Sequence, residues 1–296
     1  MKRTLLLAFL CLLFTSVLVA QKTNKENSLL WEVTGNGLKK PSYLFGTYHF
    51  LSNGFVDTIP AIKTAYTASD AVAGELVIDS SIQQAMMEAS LLGSTTLQKI
   101  LPDTLYAKTA KWFKEEAGLD LINLDTFNPF TVMTVALAIT HQKYFPNKRG
   151  EVQLDTYFQE LAKKDGKKIV GLETIQMQIN AIFKQLTLAR QVEILNETFK
   201  EKDGLKSAIA VMNDAYTRND LNALHKLMYA GTYKREEMKP LLDDRNHYWM
   251  QQLPELMKDQ SLFVAVGALH LVGETGLVQQ LRKKGYTVTP INIKNQ

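Results

Sequence analysis

An α/β fold is predicted: one helix-rich domain around a mixed central sheet whose strands come from both ends of the chain. Three observations predict it. Short apolar and β-branched runs lie at 29–33, 43–47, 71–78, 169–174, 261–267 and 286–293, toward both ends. Between them run long stretches with apolar residues three and four apart, the spacing of an amphipathic helix. No Pro/Gly/Ser linker and no internal repeat interrupts residues 28–296, so that stretch is expected to form one domain.

The first residues are predicted to lie outside the fold. Lys2 and Arg3 precede an apolar run from 5 to 19, and the small residue Ala20 stands before Gln21. That order is the pattern of a secretory signal peptide, expected over residues 1–20, with 21–27 as a flexible polar leader. The run falls short of the ~20 apolar residues that a spanning helix needs. A periplasmic or secreted location is therefore expected. Cys11 is the only cysteine and lies in this segment, so a chain cut after Ala20 would have neither disulfides nor a thiol nucleophile. A composition of 46% hydrophobic and 22% charged residues is that of a globular protein. The formal charge of +4 falls to +2 without Lys2 and Arg3 and gives no electrostatic case for nucleic acid.

The elements follow in order. Strands at 29–33 and 43–47 flank "TGNGLKKPS", rich in turn formers, and read as a hairpin. A helix over 60–68 opens on Pro60, whose missing N–H costs nothing in a first turn. "DAVAGELVID" reads as a buried strand over 71–78 with Glu75 inside it. Helices are predicted at 82–92 and 103–117, then an apolar core helix at 129–139 and an amphipathic one at 152–164. "DGKK" turns the chain into the strand "IVGLET", half of a βαβ unit. Helices at 175–202, 205–229 and 239–257 come next. The strand "SLFVAVG", a helix stopped by Gly285 and the strand "YTVTPINI" close the chain. The helical middle, 80–150 and 174–258, is expected to form a layer or cap over the sheet.

Two strands end in the same device. Gly46 is followed by His49, and Gly267 by His270. Ligands of α/β sheets bind beyond the carboxyl ends of strands, and a glycine there lets the backbone turn tightly. Glu75 follows Gly74, and its charge is costly to bury unpaired. Two imidazoles and a carboxylate suit Zn, Mn, Fe or Co with a position open for water. A single strand-end histidine is commonly a structural group, so the repetition carries the functional reading. Glu173 also follows a buried strand and is a candidate second ligand, general base or helix cap. Arg245, near Asn246 at a helix start, is expected to pair with a site carboxylate or to bind an anionic substrate group. Trp249 and His141 read as structural residues, and His225 and His247 as exposed ones. No G-x-S-x-G, H-E-x-x-H, P-loop or G-x-G-x-x-G motif is present.

"YLFGTYH", "GELVID", "IVGLET", "DDRN..W" and "VGALHLVGETGLVQQLRKKGYTV" together resemble the TraB/PrgY/GumN family, which includes the TIKI proteases. The paired G-x-x-H motifs with an intervening glutamate are that family's hallmark. The resemblance implies a fold similar to the TIKI proteins and, more distantly, to erythromycin-esterase and ChaN-like proteins. It implies a divalent-metal-dependent peptidase with His49, His270 and Glu75 at the metal, and Glu173 and Arg245 at recurrent positions of less settled role. In context the chain looks like a secreted bacterial GumN-like protein, many relatives of which have no known substrate.

The expected function is thus a periplasmic or secreted metal-dependent hydrolase of peptide or protein substrates. His49, His270 and Glu75 would hold the ion or its water. Glu173 would assist proton transfer, and Arg245 would orient a carboxylate or stabilise developing charge. The rival expectation is a non-catalytic binding protein for peptide, haem or metal, with Tyr48 or a histidine as a possible haem ligand. A third is metal-free hydrolysis with a histidine as general base.

Overall fold

A computed structural model describes residues 27–147 and 152–293. The expected signal peptide, most of the leader and Cys11 lie outside the described residues. Among the described residues no helix is long and apolar enough to cross a membrane.

The six strands are β1 (Leu30–Thr34), β2 (Ser42–Thr47), β3 (Ala71–Gly74), β4 (Lys168–Gly171), β5 (Leu262–Gly267) and β6 (Thr287–Ile291). They form one mixed sheet in the order β4-β3-β5-β2-β1-β6. The expected hairpin is present: β1 pairs antiparallel with β2, Leu30 opposite Phe45. Its turn uses positive φ at Gly35, Asn36 and Gly37. β5, from the far end of the chain, inserts between β3 and β2 and runs parallel to both. β4 runs parallel to β3. The carboxyl ends of β2, β3, β4 and β5 therefore point one way. Pro290 sits on β6, an edge strand, where a missing N–H is tolerated.

Burial explains the strand sequences. Every residue of β3 is buried, as is β5 from Leu262 to Val266, so both read as continuous apolar runs rather than alternating ones. The helix Leu154–Lys164 buries Leu154, Phe158 and Ala162. Phe158 packs its ring centre 4.7 Å from that of Phe263, tilted, and 5.5 Å from that of Phe45, edge to face. The helices between Leu97 and Leu205 hold their own apolar cluster, with Phe113, Val132, Ala136 and Leu195 fully buried, and form a cap, whereas the later part of the expected cap places Tyr216, Trp249, Leu253 and Met257 in the sheet core.

Several boundaries differ from expectation. β3 stops at Gly74, so Glu75 stands just beyond the strand rather than within it. The side chain of Gln159 replaces the sheet there: its Nε2 donates to the Leu76 carbonyl at 2.8 Å and its Oε1 accepts from the Ile78 amide at 2.9 Å. The helix expected over 175–202 is broken by a π-helical turn, Asn180–Lys184, and restarts at Leu188 behind a Thr187 cap. That over 205–229 is divided at Asn219 (φ +63°), whose carboxamide accepts the Leu29 amide, before Asp220 caps the helix Leu221–Ala230. The stretch 239–257 likewise yields two short helices, Asp243–Trp249 and Leu253–Lys258.

Candidate active site

The two glycine motifs meet in space. A Cβ placed on Gly46 would lie 2.8 Å from Cα and 2.9 Å from Cβ of Ala268, inside the second motif. Only a residue without a side chain lets the turn after β5 cross the end of β2 so closely. Tyr216, from the helix Gly204–Thr217, fastens the crossing by donating its hydroxyl proton to the Gly46 carbonyl at 2.7 Å. The amide of Gly267 donates to Oε1 of Glu75 at 3.0 Å. β2, β3 and β5 thus deliver His49, Glu75 and His270 to one end of the sheet.

Arg245 ties most of the site together. Its Nε and Nη2 grip Glu173 bidentately at 2.9 and 2.7 Å. Nη2 also donates to Oε2 of Glu75. Nη1 donates to the Leu241 carbonyl at 3.1 Å and to Nε2 of His270 at 3.0 Å. A guanidinium has five N–H donors, and all five are engaged. Arg245 is 7% exposed and its Cζ lies 5.0 Å from the centre of the Trp249 ring. Pairing with site carboxylates, one of the two expectations for this residue, is what the geometry holds. No donor is left for a substrate anion.

His270 is buried and stacked 4.3 Å from Trp249. Its Nδ1 donates to Oδ1 of Asn246 at 2.7 Å. The Asn246 amide nitrogen meanwhile donates to the carbonyls of His270 and Thr275, which fixes the oxygen toward the ring. Arg245 can only donate, so Nε2 of His270 is an acceptor and the ring is neutral. Burial pushes its pKa down to about 3, and the Arg245 charge adds to that.

His49 stands on the other side of Glu75 and is exposed. Its Nδ1 lies 2.8 Å from Oδ2 of Asp155, at the start of the helix Leu154–Lys164. Thr47 donates to the other Asp155 oxygen. The Asp155 charge and this hydrogen bond raise the His49 pKa to about 9. Nε2 is the ring nitrogen left open.

The carboxylates differ. Burial works against ionising Glu75, but Arg245, His270, His49 and the Gly267 amide together hold its pKa well below the usual range. Gln178 also donates to its Oε2 at 3.2 Å. The Glu173 side chain is fully buried, and burial pushes its pKa up against the pull of Arg245. Trp249 donates to it at 3.2 Å. Glu173 therefore sits behind Arg245, away from solvent.

His49, Glu75 and Asp155 line a cavity of about 590 Å³ between the sheet and the cap; His270, Glu173 and Arg245 do not. Of the expected site residues, Glu75, Glu173, Arg245 and His270 form one buried network, and His49 joins Glu75 across the cavity wall. Asp155 and Gln178 were not singled out by the sequence. Asp155 is one acidic residue among many at a helix start, and only the fold brings it to His49.

The model of the TraB/PrgY/gumN family matches residues 29–290. The chain belongs to the TraB/PrgY/gumN family. The match spans all six strands except the last residue of β6 and every residue of the Arg245 network. Among similar proteins are Metalloprotease TIKI2 of Danio rerio, 25% identical over 88% of this chain and 60% of its own, and Metalloprotease TIKI2 of Xenopus tropicalis, 27% identical over 88% and 59%. Metalloprotease TIKI1 of Homo sapiens is 23% identical over 88% of this chain and 61% of its own. The family member described here thus spans about three-fifths of the length of these relatives.

The donors on the cavity wall bear on whether the site can take a metal. Nε2 of His49, with Nδ1 anchored on a carboxylate, is the usual arrangement of a metal-binding imidazole. Glu75 is ionised on the same cavity wall, and Oε1, with one N–H from Gly267, keeps a lone pair. An imidazole nitrogen and a carboxylate oxygen are donor types that suit a divalent ion. His270 is not placed as a third, because its Nε2 already accepts from Arg245. Among the described residues no three His, Cys, Asp or Glu side chains are grouped to hold an ion.

Proposed function

We propose that this protein is a secreted or periplasmic metal-dependent hydrolase that cleaves peptide bonds in peptide or protein substrates. The observation that carries the reading is the pairing, on one cavity wall, of a carboxylate-anchored His49 with a Glu75 held ionised by Arg245. Family relatives named metalloproteases support it. His49 and Glu75 would hold the ion, and their donor types suit Mn, Co, Zn or Fe. Once bound, such an ion would lower the pKa of a water toward ~7 and polarise a carbonyl.

The remaining residues have assignable tasks. Asp155 keeps one His49 proton on Nδ1, and a bound ion would have to displace the second from Nε2, which the raised pKa retains at neutral pH, before that atom offers its lone pair. Oε1 of Glu75 is the carboxylate atom available to a ligand or to a proton. Arg245 fixes Oε2 and keeps the carboxylate charged, while Glu173 and His270 fix Arg245. Glu173 is a positioning residue in this scheme, since its buried oxygens already serve Arg245 and Trp249. His270 could become a third ligand only by exchanging its Arg245 contact for the ion, and the scheme does not require it.

The test is a screen of divalent ions against a peptide library with the full chain, read by mass spectrometry. Cleavage should need an added ion and be lost in Glu75→Gln and His49→Ala. Full cleavage after exhaustive chelation would instead favour a histidine acting as general base without metal. Stoichiometric ligand uptake without any cleavage would favour the binding-protein reading. Tyr48 lends the haem version of that reading no support, because its hydroxyl is buried, without a hydrogen-bond partner among the described residues, and its ring packs 5.2 Å from Tyr216.

A further inference from the structure

The cavity that holds His49 and Glu75 has a second, chemically different arm. Its wall on the cap side is formed mainly by Ile82, Met86, Met87, Phe127, Thr131 and Val135, with the uncharged polar side chains of Gln83, Ser90 and Gln178 among them. The ionisable side chains lining the cavity, His49, Glu75 and Asp155, all belong to the sheet side. A charged group entering the far arm would find no counter-charge there.

Two features of the cap show that this wall is not ordinary core. The helix Ser80–Ala89 has an apolar face but not one buried residue, and Met87 is 56% exposed. The helix Pro129–Tyr144 is apolar nearly all round for a reason the cap core alone does not give. Val132 and Ala136 lie within the buried cluster, Thr131 lines the cavity, and Val135 touches both. The Thr131 hydroxyl is buried with no hydrogen-bond partner among the described residues. Methionines at such a wall adapt to side chains of differing shape.

We infer that this arm is a subsite for a long unbranched or γ-branched apolar side chain, leucine or methionine, of a peptide whose adjacent carbonyl lies toward His49 and Glu75. The assignment rests on the hydrolase reading for the placement of that carbonyl. Seating the side chain would complete the burial of Ile82, Met86 and Met87 that folding leaves undone. The volume of about 590 Å³ lies within the range of small-ligand sites and holds more than one residue.

The experiment separates binding from turnover. Capped tripeptides, acetyl-Ala-Xaa-Ala-amide with Xaa Gly, Leu, Met, Asp or Lys, are titrated calorimetrically into the full chain under chelation. Cleavage of the same peptides is read separately with divalent ions present. Leu and Met peptides should bind at least ~10-fold more tightly than the Gly peptide. Asp and Lys peptides should bind no better than Gly. Met86→Asp should erase the preference, and Ile82→Gln should reduce it, in whichever variant keeps the wild-type melting curve. Equal binding of all five, no binding by any, or a preference untouched by both substitutions overturns the subsite. Apolar binding without cleavage in any metal would leave the subsite standing and remove the hydrolase reading alone.

Discussion

Arg245 donates to Nε2 of His270 across 3.0 Å, and both side chains are buried. The contact makes the second G-x-x-H histidine part of the scaffold around Arg245 rather than a free ligand. Burial keeps this imidazole neutral against the pull of Glu75, and the permanent cation touching its open nitrogen adds to that. The same guanidinium shares its single positive charge between Glu173 and Glu75, so one residue sets the electrostatics of three.

Removal of Arg245 should therefore be the most damaging single change in the site. Arg245→Gln leaves two carboxylates without their shared cation, one of them fully buried. Breaking a buried pair in this way costs about 3–5 kcal/mol. Arg245→Lys should recover little of that, because one ammonium cannot reproduce a five-donor fork. Urea unfolding of the three proteins checks the order. A lysine variant as stable as wild type would mean that the fork is dispensable.

Gly46→Ala tests the crossing of the two motifs. The new methyl would sit 2.8 Å from Cα of Ala268, and backbone has little room to retreat. Overpacking of this kind costs about 1–3 kcal/mol. Ala268→Gly in the same chain should restore part of the loss by removing the Cβ contact at 2.9 Å but not the Cα one. Thermal melting of the single and double variants reads this directly.

How much of this was legible in the sequence depends on the range of the forces involved. The hairpin, the helix Pro60–Ala68 and the helix Asp103–Ala117 were legible because turn residues, an N1 proline and helical spacing are local signals. The convergence of the chain ends was suggested by the repeated glycine device, and the reason for Gly46, its touch on Ala268, is a tertiary fact. The end of β3 was not legible, since it depends on a Gln159 side chain about eighty residues away taking over the backbone partners of Leu76 and Ile78. The long helical runs hid their breaks because Asn219 in a positive-φ turn reads like any polar helix residue. Asp155 carried no local mark at all. Its partner His49 lies 106 positions earlier and reaches it only through the fold.

Asp155→Asn should bring the His49 pKa from about 9 back toward the ordinary 6.5. The raised pKa means that the folded protein holds its His49 proton more tightly than the unfolded chain. The stabilisation is complete below about 6.5 and disappears as pH rises through about 9. With the His49 side chain 69% exposed, solvent screening keeps the energy small, so the titration is the better readout. NMR of the His49 ring in chelated protein should show the midpoint fall in the variant. An unchanged midpoint would mean that Asp155 does not control the ring.

His270 should give the opposite pH dependence. Its folded pKa of about 3 lies below the unfolded 6.5, so between these values the unfolded chain binds the extra proton. The resulting stability is fully present above about 6.5 and is lost as pH falls toward about 3. His270→Gln removes the titrating ring while keeping an acceptor for Arg245, so it should lower stability at pH 7 yet flatten its decline toward acid. Arg245 and Asn246, which face the ring, do not titrate in this window; Glu75 faces it too, but its pKa is held low. Unfolding free energies of wild type and variant should therefore converge as pH falls from 7 to 4. Parallel curves would show that the His270 ring is already protonated in the fold, and with it that Arg245 does not donate to Nε2.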